Sequence, residues 1–197
     1  LYSVATTMSI GSIALFYCLA TAYYLTDIYR KEEKLQLSSF VGAILGLFAF
    51  LMTIIQVDIS DSGAQLLQTT GETAIIYNGV ALGSWVTRFS GVGIFIGILT
   101  AVLATQVYRF CVKKKITIQM PAGVPDGVSK AFASLIPAII IAFLMILING
   151  CLAVFHTDLH GLLSKPFEFV KDLTGSWLGI IVIMLLIHLL WAVGVHG

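Results

Sequence analysis

The sequence predicts an all-α fold, a polytopic bundle of transmembrane helices, and three observations carry that expectation. Of the 197 residues 58% are hydrophobic and only 11% charged, with a mean hydropathy of +0.99, a balance that a water-soluble domain cannot keep off its surface. The apolar residues gather into five runs of roughly bilayer-crossing length, and in lipid a helix satisfies its own backbone hydrogen bonds without water. Basic residues concentrate in every second connection, as the positive-inside rule requires of alternating spans. The net charge of +1 and the absence of a long basic run argue against nucleic-acid binding.

The five expected spans run over 1–25, 39–56, 92–107, 132–153 and 177–195. No basic flank precedes the first run, so it reads as a spanning helix rather than a signal peptide. Its following connection carries Arg30, Lys31 and Lys34; the one after the third span carries Arg109, Lys113, Lys114, Lys115 and Lys130. These place 27–38 and 108–131 in the cytoplasm, and the fifth span then runs from outside to inside. The outer connection 57–88 holds Asp58, Asp61 and Glu72 among Ser, Thr and Gly, with Tyr77-Asn78-Gly79 as a turn signal, and reads as a solvated loop. Polar residues recur at helical spacing over 162–173, which predicts a short amphipathic helix in the headgroup plane, started by Ser164-Lys165-Pro166 and closed by Gly175.

Glycines four apart, at Gly42 and Gly46, Gly93 and Gly97, and Gly175 and Gly179, mark helix-packing faces, within one subunit or between two. Cys18, Cys111 and Cys151 lack C-x-x-C spacing and read as small membrane-buried side chains. His156, Asp158 and His160 sit at i, i+2 and i+4; they read as a polar loop at a membrane boundary, a divalent-metal pair being the weaker alternative. Motifs for an ATPase, a serine hydrolase or a zinc protease are absent from the sequence. No metal and no cofactor is implied.

The connection after the third span is the most constrained stretch. Tyr108-Arg109-Phe110 is followed by basic residues, a strand-like run at 116–119, and two turns at Met120-Pro121 and Val124-Pro125 that cannot continue a helix. The chain then re-enters the membrane with Pro137 in the first turns of the next span. This run resembles the membrane component, enzyme IIC, of the lactose/cellobiose (diacetylchitobiose) branch of the bacterial sugar phosphotransferase system. Met120, Pro121, Gly123, Val124, Pro125, Val128, Phe132, Leu135, Ile136 and Pro137 match that family's turn and Leu-Ile-Pro segment; Asp126 replaces its second proline and Ala131 its serine. A second segment, Leu190-Trp191 with Gly194-Val195-His196-Gly197, resembles the family's Leu-Trp-x-x-Gly-x-His-Gly.

The resemblance implies a multi-pass permease of the bacterial cytoplasmic membrane. Such a permease takes up a disaccharide (cellobiose, diacetylchitobiose or lactose) while a phosphocysteine on the cytoplasmic IIB protein phosphorylates it. It implies a sugar contact at His196, a homodimer by inheritance only, and no catalytic residue in this chain. The expected division is a scaffold over 1–174 and the start of a substrate-binding part over 175–197, with the chain a fragment of a longer protein. Chemically, a neutral imidazole can accept from one hydroxyl and donate to another, while Gly194 and Gly197 allow close backbone approach. His196 equally fits a histidine snorkelling at a helix end, Trp191 either a sugar-stacking ring or an ordinary membrane tryptophan, and His188 a partner inside the bundle. Two readings of other classes stay open: a transporter driven by an ion gradient with His188 or His196 as proton relay, and a non-transporting scaffold subunit bound through its glycine faces. The lysines at 113–115 would attract IIB.

Overall fold

The computed structural model describes residues 5, 9–54, 57–60, 63–66, 76–77, 80–81, 88–121, 123–163 and 175–192. Two units are distinguished, Leu1–His160 and Gly161–Gly197. The first is built on helices α1 (Ile13–Glu32), α2 (Ser39–Met52), α3 (Ile94–Lys113), α4 (Asp126–Ala133) and α5 (Leu135–Val154); the second contains α6 (Trp177–Ala192). Ile94–Lys113 and Asp126–Val154 are long and apolar enough to cross a bilayer.

Small side chains decide how α1, α2 and α3 pack. Ala14, Cys18, Ala22 and Thr26 recur every fourth residue on α1 and are wholly buried. Such a stripe lets backbones approach closely, which lipid-embedded helices need because burial of apolar surface gives them no drive to associate. α2 meets it with glycines: a Cβ on Gly42 would lie 2.1 Å from Thr26 Oγ1, and one on Gly46 would lie 2.6 Å from Ala22 Cβ. Gly97 of α3 faces the same stripe: a Cβ there would lie 3.0 Å from Ala14 O. Two of the three expected glycine pairs therefore contain residues that serve contacts inside one chain. In the second unit, Gly179 N–H donates to Ser176 Oγ at 3.0 Å, which caps the start of α6.

α5 completes the first unit by packing on α2 and α3. Ile141 and Met145 point into a core with Leu45, Ala49, Ala104 and Tyr108, while Ile139, Phe143 and Ile146 face outward. Pro137 is buried in the first turn of α5, where its missing N–H breaks no helical bond. Cys18 and Cys111 are buried in the bundle, and Cys151 is exposed on α5.

Several boundaries differ from the sequence expectation. α1 continues past Leu25 to Glu32, and α3 past Val107 to Lys113, because polar helix ends extend beyond the apolar window. The connection 57–88 is not simply a loop: it contains antiparallel pairs β1 (Val57–Ser60) with β2 (Gly63–Leu66) and β3 (Ile76–Tyr77) with β4 (Val80–Ala81). Tyr77 pairs with Val80, on either side of the expected turn signal. Residues 116–119 form no strand, since no second strand is there to pair with them among the described residues. α4 occupies the end of the expected cytoplasmic loop, and Ser134 joins it to α5 with its N–H bonded to Lys130 O at 3.2 Å. Residues 159–163 are helical; 164–173 of the expected interfacial helix, and Gln56 and Val195 at span ends, lie outside the described residues.

Candidate functional site

The two basic connections meet at one end of the bundle. Tyr108, buried near the end of α3, accepts a hydrogen bond from the Ser38 N–H at 3.2 Å, and the Ser38 side chain in turn accepts from Val41 N–H as the N-cap of α2. The adjacent Arg109 donates to Glu33 at the end of α1, with Lys113 on the second oxygen at 3.4 Å. Arg109 also lies 4.4 Å from the Tyr29 ring centroid, and Gln106 donates to the Tyr29 hydroxyl at 2.7 Å. The Arg109 guanidinium, helped by Lys113, holds the Glu33 carboxyl below its usual range. Tyr108-Arg109 thus fastens the first connection to the third helix.

Beside this fastening an open cleft of about 620 Å³ is lined by Lys34, Lys113, Lys115 and Lys130. Gln36, Thr117, Gln119 and Ser129 supply polar groups, and Leu35, Val112, Ile118, Met120 and Ala133 an apolar wall. Lys34 and Lys115 have φ of 52° and 58°, left-handed values that cost a non-glycine residue about 1–2 kcal/mol. Lys115 closes α3 with paired bonds, Lys115 N–H to Val112 O at 3.1 Å and Ile116 N–H to Cys111 O at 2.8 Å. The motif residues shape the far wall: Met120 lines the cleft, Gly123 takes φ 105°, and Pro125 starts α4 as its N-cap residue. Val124 lies in the turn between them, Pro121 is exposed, and Phe132 sits exposed on α4.

A second polar cluster closes the opposite end. Arg88 reaches Asp158 at 2.5 Å and the Thr53 carbonyl at 3.4 Å, joining the end of α2, the approach to α3 and the segment after α5. Thr53 gives its proton to Phe50 O at 2.7 Å, so toward His160 Nε2, at 3.5 Å, its oxygen can only accept. His160 is buried, and its Nδ1 has no partner among the described residues. Burial lowers its pKa to about 4, Arg88 adding to the effect and Asp158 opposing it. Asp158 and His160 are therefore parts of an interhelical clamp rather than of a plain boundary loop. No group of metal-ligating side chains occurs among the described residues.

The second sequence motif is only partly in view. Trp191 lies near the end of α6, and Gly194, His196 and Gly197 lie outside the described residues. His188 Nδ1 lies 2.7 Å from Met184 O of its own helix. Sequence reading missed Arg88 and Tyr108 as structural anchors; the tyrosine opens the recognised Tyr-Arg-Phe run, whereas nothing local sets Arg88 apart from a loop cation.

Residues 1–197 match the family model described as phosphotransferase system, EIIC. The chain belongs to this family. It is 32% identical over 202 residues to the oligo-beta-mannoside-specific EIIC component of Bacillus subtilis (strain 168), a match that covers 100% of this chain and 40% of that protein. It is 31% identical over 203 residues to the cellobiose-specific EIIC component of Geobacillus stearothermophilus, with the same coverage. The lactose-specific EIICB component of Staphylococcus epidermidis matches at 25% over 193 residues, covering 96% of this chain and 29% of that one. Among solved structures, the transporter ChbC, the IIC component of the N,N'-diacetylchitobiose-specific phosphotransferase system, superposes with a TM-score of 0.64 at 26% identity. That likeness covers 97% of the EIIC chain and 41% of ChbC. The EIIC chain thus spans about 40% of the length of these first relatives.

Proposed function

We propose that this EIIC chain works within a disaccharide permease of the phosphotransferase system, in which a phosphorylated IIB partner phosphorylates the sugar as it enters. The observation that carries the reading is the family match over the whole chain, together with relatives named for oligo-beta-mannoside, cellobiose and diacetylchitobiose. The substrate class is a β-linked disaccharide. His196 contacts it, with Gly194 and Gly197 allowing the backbone close to the ligand and Trp191 offering an aromatic face. Lys113, Lys114 and Lys115 attract IIB electrostatically. Residues 1–174 act as scaffold for a substrate-binding part that begins at 175. The protein is multi-pass in the bacterial cytoplasmic membrane, with five spans and an interfacial helix at 162–173, and assembles as a homodimer.

The test is binding of cellobiose, lactose and diacetylchitobiose to the complete protein, with IIB-dependent phosphorylation measured in parallel. His196→Ala should weaken binding by roughly 10- to 100-fold, the effect of losing one strong polar contact to a buried ligand. Unchanged affinity and phosphorylation would remove His196 from the site. Uptake that persists without IIB and collapses with an uncoupler would replace the reading by ion-gradient transport.

A further inference from the structure

We propose that the basic cleft and α4 together form a membrane-surface site for the phosphate of an anionic phospholipid. The first argument is one of length. The 20 residues of α5 rise about 30 Å, the thickness of a hydrocarbon core, so the eight residues of α4 ahead of it lie at headgroup depth.

α4 has no buried residue, so its backbone junction with α5, and not packing in the described core, sets its position. Val128, Phe132, Leu135 and Ile139, spaced i, i+4, i+7 and i+11, are 42–67% exposed and run into the exposed apolar stripe of α5. This continuity with an exposed apolar stripe on a helix long and apolar enough to cross a bilayer favours lipid over a soluble partner. Away from that stripe, Lys130 lines the cleft with Lys34 and Lys115. Lys34 and Lys115 make no ion pair among the described residues, and Lys130 has only Asp126 at 3.9 Å. Three under-compensated ammonium groups therefore surround a cleft large enough for a glycerophosphate, with the Thr117 and Ser129 hydroxyls available to its oxygens. Lys113 is engaged by Glu33 and stands apart from this set. An α4 held by acyl chains on one side and by a headgroup on the other would fix the turn at Gly123 and the entry of α5.

The inference requires neither sugar nor IIB, so it fails or stands separately from the transport reading. The complete protein, in mild detergent, is titrated with short-chain phosphatidylglycerol or phosphatidylcholine, and bound lipid is counted by native mass spectrometry. Phosphatidylglycerol should be retained preferentially, and each of Lys34→Gln, Lys115→Gln and Lys130→Gln should reduce its affinity about fivefold at low salt. Arginine at the same three positions should preserve retention, which separates charge from folding. Lys31→Gln, a loss of charge outside the cleft, should have no effect. Equal retention of both lipids, retention unchanged in the glutamine variants, loss in the arginine variants, or an equal loss with Lys31→Gln would each overturn the proposal. Competition by soluble glycerol phosphate at millimolar concentration would reassign the cleft to a free phosphate ester. Glutamine variants that lose IIB binding but keep phosphatidylglycerol would reassign it to the partner protein.

Discussion

His160 shows how one side chain can record its surroundings. Its Nε2–H is directed at Thr53, its Nδ1 has no acceptor among the described residues, and Arg88 is close by, so a second proton would bring an uncompensated charge. The folded-state pKa, about 4, is below the ordinary 6.5. The unfolded chain therefore binds the proton more readily between those values. Stability should be complete above pH 6.5 and fall as pH drops toward 4, by on the order of 2–3 kcal/mol from this group alone. Thermal unfolding in detergent across that range should show the slope, and His160→Gln should flatten it. Asp158→Asn leaves the Arg88 guanidinium less compensated and should cost about 2–3 kcal/mol, read from the same melting curves. Tyr108→Phe removes the acceptor of the Ser38 N–H at the start of α2 and should cost about 1 kcal/mol.

At the scale of the element, the contact of α1 with α2 is the most demanding. Gly42→Ala would force its methyl group into Thr26, whose own hydroxyl is tied to Ala22 O at 2.6 Å. The helices must separate, and the loss should be about 1–3 kcal/mol, whereas Gly127→Ala on α4 meets nothing within 4 Å and should leave the melting temperature unchanged or raised. The glycine pair was legible in the sequence because G-x-x-x-G is conspicuous. Its partner stripe was not, since Ala14, Cys18, Ala22 and Thr26 share only smallness and spacing. α4 was hidden for a related reason: two prolines announce turns, but eight residues with an exposed apolar side carry too weak a period to stand out beside the span they precede.

Across the molecule, hydropathy and charge alternation were enough for fold class, a property of long stretches, while the family was legible in the short turn run from Met120 to Pro137. The two clamps were not readable, since Arg88 with Asp158 and Arg109 with Glu33 join residues 70 and 76 positions apart. Which cations pair across a bundle depends on helix rotation, and apolar periodicity fixes that only loosely. The proposed topology makes a test of its own. In a protein with its three native cysteines replaced by alanine, Lys114→Cys should react with an impermeant maleimide only in inverted vesicles, and Ser60→Cys only in right-side-out ones. The reverse pattern would turn the bundle over.

The 14 residues of α2 have one more consequence. They rise about 21 Å, well short of the roughly 30 Å hydrocarbon thickness that the 20-residue α3 and α5 beside it match in length. Asp27, which bonds Ser39 Oγ at 3.1 Å, and Tyr108 hold the start of α2 at the basic end, so the shortfall falls at Thr53, where the Arg88–Asp158 pair meets it. In the proposed topology, hydrophobic mismatch at this helix would be relieved by thinning the surrounding bilayer on that side. The protein should therefore melt at a higher temperature in membranes of short acyl chains than in those of long ones, and inserting one helical turn after Phe50 should abolish the difference.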